Sequence, residues 1–198
     1  MKVACTHFQC AAWAFEFLRD HFGSSNLSVD MSHEVLTFQV NLMLSQAQEC
    51  ILEKSMIDSR KNTITAKVSA QVVEFYRNVI RSLQTENMDA ILGSRKYKDW
   101  KKRTDLKILF YEVITNYYMG RNSEEQEKFG ECVAYFILSF DKLKDCIKMA
   151  KSESSDIQDS LRFTNDVVAG KYQSAKKDND FVYHDKIPAA DTLPDVKG

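Results

Sequence analysis

The stretch YYMGRNSEEQEKFGECVAYFILSFDKLKDCIKMA, residues 117–150, decides the fold. Apolar residues recur in it at helical spacing, with two glycines and no proline to break the pattern. Gly120 in "MGRNS" reads as a helix stop. Ser123 reads as the cap of the next helix, with Gln126 at the capping-box position. Within that helix Gly130, Ala134 and Phe140 alternate small and large, which lets a neighbouring helix approach closely. Two long helices joined by a short turn lie antiparallel.

Working outward, the same period runs through almost the whole chain. Expected helices cover about 2–22, from an Asp30 or Ser32 cap to about 61, from Asn62 or Thr63 to about 85, about 96–120, about 123–151 and about 155–179. No stretch reads as a strand. Both prolines of the 198-residue chain, Pro188 and Pro194, fall in its last segment, so the rest carries few helix breakers. The predicted class is all-α: an antiparallel stack of long helices with tetratricopeptide-like pairs, although no strict 34-residue repeat is visible. The first helix is apolar on more than one side, through Val3, Phe8, Trp13, Phe15, Phe17 and Leu18, so it expects a neighbour on both faces.

Composition excludes several function classes. Lys and Arg number 27 against 28 Asp and Glu, so the overall balance calls for neither nucleic acid nor an anionic membrane. The five cysteines form an odd set with no CxxC pair, which argues against a zinc site or a complete disulfide framework and for a reducing compartment. The apolar start is interrupted by Glu16, Arg19 and Asp20, so it reads as a helix of the fold and not as a leader. No HExxH, phosphate-binding glycine loop or cysteine-phosphatase loop occurs, and the four histidines are scattered. No catalytic residue, metal site or cofactor is expected. Arg95, Lys96, Lys98, Lys101, Lys102, Arg103 and Lys107 cluster around Tyr97 and Trp100. Asp99 and Asp105 dilute that cluster, which favours a solvated helix start with Trp100 packed inward over a phosphate-binding patch.

The third helix carries the one surface with the look of a docking site. At about 100° per residue, with Ile64 at zero, Val68 falls at about 40° while Ala66, Ala70 and Val73 lie at about 180° to 240°. Ile64 and Val68 border the polar sector of Lys67, Gln71 and Asn78. Such a pair is either core or an apolar seat for a partner helix.

THFQCAAWAFEFLRDHF (6–22), NLMLSQAQECILEKSMIDSRK (41–61), KFGECVAYF (128–136) and AKKDNDFVYHDKIP (175–188) together closely resemble the BRO-one domain family. Within it, MKVACTHFQCAA, QAQECILEKSMID and DWKK are nearest to the branch found in His-domain tyrosine phosphatases. The resemblance covers the whole chain and implies a non-catalytic scaffold of the ESCRT pathway, cytoplasmic and recruited to endosomes by peripheral association. The implied partner is the C-terminal helix of an ESCRT-III subunit, charged multivesicular body protein 4 or Snf7. By position, the family's binding patch falls on Ile51, Ile64 and Val68. The family often has a bulkier residue at the first of these and a larger aliphatic one at the last, which implies weaker affinity. The alternatives are an ALIX-like or pH-signalling adaptor, or the targeting module of a larger phosphatase-like protein.

The resemblance also implies that the chain turns extended after the last helix and runs back over the stack as a strap. Phe181 and Tyr183 are then expected to plug into it, and Tyr183 matches a family tyrosine open to phosphorylation or used for packing. Residues 1–198 are expected to be a partial domain lacking an amino-terminal portion, which would leave apolar surface open and favour self-association.

Overall fold

A computed structural model describes residues 1–22 and 28–198. The described residues form seven α-helices and no strand: α1 (Lys2–Phe22), α2 (His33–Ile57), α3 (Asn62–Leu83), α4 (Met88–Leu92), α5 (Ser94–Glu125), α6 (Phe129–Met149) and α7 (Ser155–Asp178). The loop expected after α1 lies largely outside the described residues. The all-α reading holds.

The chain divides into two compact units, Met1–Asp58 with Gln71–Ile108, and Ser59–Ala70 with Leu109–Gly198. In the first, α1 packs on α2. Ser32 caps α2, its Oγ accepting the Val35 N–H at 3.3 Å, as the sequence suggested. The core joins Leu36, Phe38 and Leu52 to Val72, Val79, Leu83 and Met88, all essentially inaccessible to water. Burying each such side chain stabilises the fold by about 1.5–3 kcal/mol. Only Ala12 of α1 is fully buried; Val3, Trp13 and Phe17 remain exposed. The five-residue helix α4 was not anticipated, and the burial of Met88 explains why so short a piece holds.

The second unit is built on the later part of α5, α6 and α7, with α6 packed on α7. Its core holds Val113, Val133, Tyr135, Phe136 and Leu143. Two sequence expectations fail here for one reason. Gly120 does not end a helix and Ser123 is not a cap, because α5 runs on to Glu125 and buries both. A Cβ on Gly120 would come within 2.8 Å of the Phe136 ring, so the glycine is there to admit that ring.

The real break falls at residues 126–128. Glu127 takes a left-handed conformation with φ 58°. Its N–H reaches the Glu124 carbonyl and the Lys128 N–H reaches that of Ser123, the pairing of a Schellman stop. A glutamate in place of the usual glycine hid this stop.

The strap expected from residue 181 is corrected at its start. After α7 the chain continues as one π-helical turn, Asn179–Tyr183, before His184 turns it with φ 56°. Phe181 is 75% exposed and plugs nothing. Tyr183 does pack, stacking on the Phe129 ring with centroids 3.4 Å apart and planes 8° from parallel.

Candidate functional site

The start of α3 is tied to α5 by two hydrogen bonds within its unit. Asn62 Nδ2 donates to Glu125 Oε1 at 2.7 Å, tying the first residue of α3 to the last of α5. Two turns on, the fully buried Ser69 Oγ donates to the Tyr111 carbonyl at 2.9 Å. Ala66 and Ala70, with no side chain beyond Cβ, lie buried on the same inward side. A buried polar group that loses its partner costs about 1–3 kcal/mol, so Ser69 fixes the rotation of α3 about its axis.

That rotation places Ile64 outward. It is 44% exposed, and Val68, one turn later on the same face, is half-buried. Arg60, Lys61 and Lys67 are exposed around them. The two aliphatic side chains are therefore brought together by α3 alone, at the border of a polar sector as the helical wheel indicates. Ile51 lies on α2 in the other unit, and it too is partly open, at 40%.

Behind α3, α5 and α6 are locked by further inter-helix bonds. Ser139 Oγ donates to the Val113 carbonyl at 3.0 Å, and Lys142 Nζ meets Glu112 Oε2 at 2.6 Å. Ser69 and Ser139 are buried anchors with their hydrogen bonds made, while the Lys142–Glu112 pair is partly exposed.

The other candidate surfaces resolve differently. Trp100 turns inward, edge-on to Phe38 at 5.4 Å, while Lys101 pairs with Asp105 and Lys107 with Glu49. Glu49 also accepts the Tyr76 hydroxyl. The basic stretch is thus partly neutralised by its own neighbours, in line with a solvated helix start. Among the described residues no cluster of three or more His, Cys, Asp or Glu side chains could hold a metal ion. No described helix is long and apolar enough to cross a membrane. Burial pushes the Cys132 thiol up to about 12 and the Cys146 thiol to about 11, so neither is a thiolate nucleophile near neutral pH.

Sequence reasoning missed the junction of α6 with the segment after α7. There Asp185 offers its carboxylate to the Phe129 and Gly130 N–H groups, at 3.1 and 3.4 Å. The Asn179 side chain clamps the Asp185 backbone on both its N–H and its C=O. A Cβ on Gly130 would lie 2.3 Å from the Lys186 carbonyl oxygen. The glycine at 130 was the available signal, but nothing in the sequence says which backbone approaches it.

What these features define is an all-α helical-stack domain that presents aliphatic side chains from the outer face of a braced helix. The chain belongs to the BRO1-like domain family, whose model matches residues 1–198. It is 56% identical over 198 residues to human tyrosine-protein phosphatase non-receptor type 23, covering all of this chain and 12% of that protein. Its fold is similar to the ALIX BRO1 domain solved in complex with CHMP4C, with a TM-score of 0.83 at 26% identity, over 99% of this chain and 52% of that one. A second solved structure, concerned with endosomal targeting by the Bro1 domain, is similar at a TM-score of 0.78 and 25% identity, over 98% and 52% of the two chains.

Proposed function

We propose that the chain is a non-catalytic docking scaffold of the ESCRT pathway, and that it receives the C-terminal amphipathic helix of an ESCRT-III subunit of the charged multivesicular body protein 4, or Snf7, type. The observation that carries this reading is Ile64: a large aliphatic side chain left nearly half open on a helix whose opposite side is pinned by buried hydrogen bonds. An exposed apolar residue on a helix already held in place loses less conformational freedom on binding than one on a loose segment, which suits a hot spot. Val68 extends the apolar seat by one turn. Ile51 is assigned to the same partner by the family's binding pattern. Likeness to a BRO1 domain solved with CHMP4C supports that choice of partner.

Docking proceeds by helix-in-groove recognition: the partner's apolar stripe covers Ile64 and Val68, and polar groups at the border, Lys67 among them, set its direction. Recruitment to endosomes follows from such docking and from peripheral contacts, with no membrane span involved. Titrating a peptide of that ESCRT-III C-terminal helix into the chain and into Ile64→Asp, with circular dichroism to show both are folded, tests the reading. Binding weakened by about 2 kcal/mol or more in the variant is expected. Equal affinity in two folded proteins would refute it.

The 56% identity to a non-receptor tyrosine phosphatase favours one extension: that the domain serves as the recruiting module of a larger phosphatase-related protein, and not of an ALIX-like or pH-signalling adaptor. The chain matches only 12% of that relative's length, so the extension rests on sequence likeness in this region.

A further inference from the structure

The helix α7 turns Leu161, Val168 and Tyr172 toward its own unit and leaves an outer face of unusual make-up. Phe163 on that face is 72% exposed and Val167, one turn later, is 39% exposed. Gly170 follows, and a Cβ built there meets nothing within 4 Å. A mid-helix glycine lowers helix stability, and here no contact within the chain requires it. An aromatic knob and an open hollow, seven residues apart, stand on one face.

The charges of α7 are divided end to end. Residues 155–166 hold Asp156, Asp159 and Asp166 against Arg162, three minus one, for a net charge of −2. Residues 167–178 hold three lysines against Asp178, a net charge of +2; Lys171 pairs with Glu124 of its own unit, which leaves Lys176 and Lys177 to an outside partner. A helix that is acidic in its first half and basic in its second is complementary to a copy of itself laid antiparallel. Asp156 and Lys177, at the two ends of the outer face, enter no ion pair among the described residues.

We propose that α7 is the interface of a homodimer of this chain, two copies pairing antiparallel about a two-fold axis that passes between Asp166 and Val167. One register satisfies all the features at once. It seats Phe163 of each copy over Gly170 of the other and brings Asp156 against Lys177 twice, as an isologous interface requires. Close approach at Gly170 is what lets the Phe163 ring lie flat on the opposing backbone. The two Asp166 carboxylates come near the axis at its solvent edge and weaken the pairing. One helix face a side is a small interface, which places the dimer among weak, transient contacts.

Sedimentation velocity of the whole chain across concentration tests this. Wild type is expected to pass reversibly from monomer to dimer, Phe163→Asp to remain monomeric, and Asp166→Asn to associate more tightly. Asp156→Lys alone and Lys177→Asp alone should each weaken dimerisation about tenfold, because two attractive contacts become repulsive. The two substitutions together should restore it. Circular dichroism checks that each variant folds, and all these positions are exposed.

A chain that stays monomeric at every concentration it can reach in solution would overturn the proposal. So would a dimer indifferent to Phe163→Asp, which would place self-association elsewhere, on the aromatic side of α1 for example. Failure of the double charge reversal to recover would exclude the antiparallel register.

Discussion

The Asp185 carboxylate accepts the backbone N–H of Phe129 at 3.1 Å from 56 residues further along the chain. The helix α6 has no side-chain cap of its own, since Lys128 stands at the capping position and makes none. Its positive end is instead closed by a residue that follows α7, and the Asn179 clamp and the Tyr183–Phe129 stack hold that residue in place.

Replacing Asp185 by alanine should therefore destabilise the second unit by about 1 kcal/mol, the usual cost of a lost cap. In a chain of this length that lowers the melting temperature by about 2–4 °C. Asp185→Asn, which keeps an accepting oxygen, should lose less. Thermal denaturation of the three proteins measures the difference, and an Asp185→Ala protein as stable as wild type would show that the cap contributes nothing.

Three helical glycines should respond to alanine in opposite directions. At Gly120 the new methyl meets the Phe136 ring, and at Gly130 it meets the Lys186 backbone, which cannot swing away as a flexible side chain would. Both substitutions should cost about 1–3 kcal/mol, and Gly130→Ala should also free residues 185–198 to limited proteolysis. Gly170→Ala has open space and should stabilise the monomer by up to about 1 kcal/mol. Urea unfolding midpoints check all three.

Alkaline pH should weaken the fold through Cys132 and Cys146. Unfolded, both thiols titrate near their ordinary value of 9.0; folded, burial holds them neutral up to about 12 and about 11. Above pH 9 the unfolded chain has lost protons that the folded chain retains, so stability falls as pH rises and is intact below. The slope approaches about 1.4 kcal/mol per pH unit for each thiol. Denaturant midpoints at pH 8, 9 and 10 should decline in wild type and decline less in Cys132→Ala/Cys146→Ala. Identical slopes would place the alkaline sensitivity in other groups.

Much of this fold could be read in the sequence because helical period and capping chemistry are local. Ser32 declared the start of α2 through its own side chain, and counting residues around α3 set Ile64 and Val68 at the border of its polar sector while leaving open whether they were core. The failures occur where a distant partner decides. Gly120 looks like a stop until the Phe136 ring is seen against it, and Glu127 conceals a stop that glycine would have announced. The family resemblance implies that Phe181 plugs into the stack, yet the π-helical turn at residues 179–183 leaves it exposed and gives the packing to Tyr183. Ile64 and Val68 could be set on one face from α3 alone. What the sequence could not supply was the support beneath them, since Ser69 to Tyr111 and Asn62 to Glu125 are pairings of residues far apart in the chain.

The central claim, that an ESCRT-III helix seats on Ile64, is tested most directly by methyl NMR of isoleucine-labelled protein titrated with the C-terminal helix peptide. The account expects saturable shifts and broadening at Ile64 and Ile51, with Ile157 on α7 unmoved. Saturable binding that perturbs other methyls while Ile64 stays fixed would contradict it.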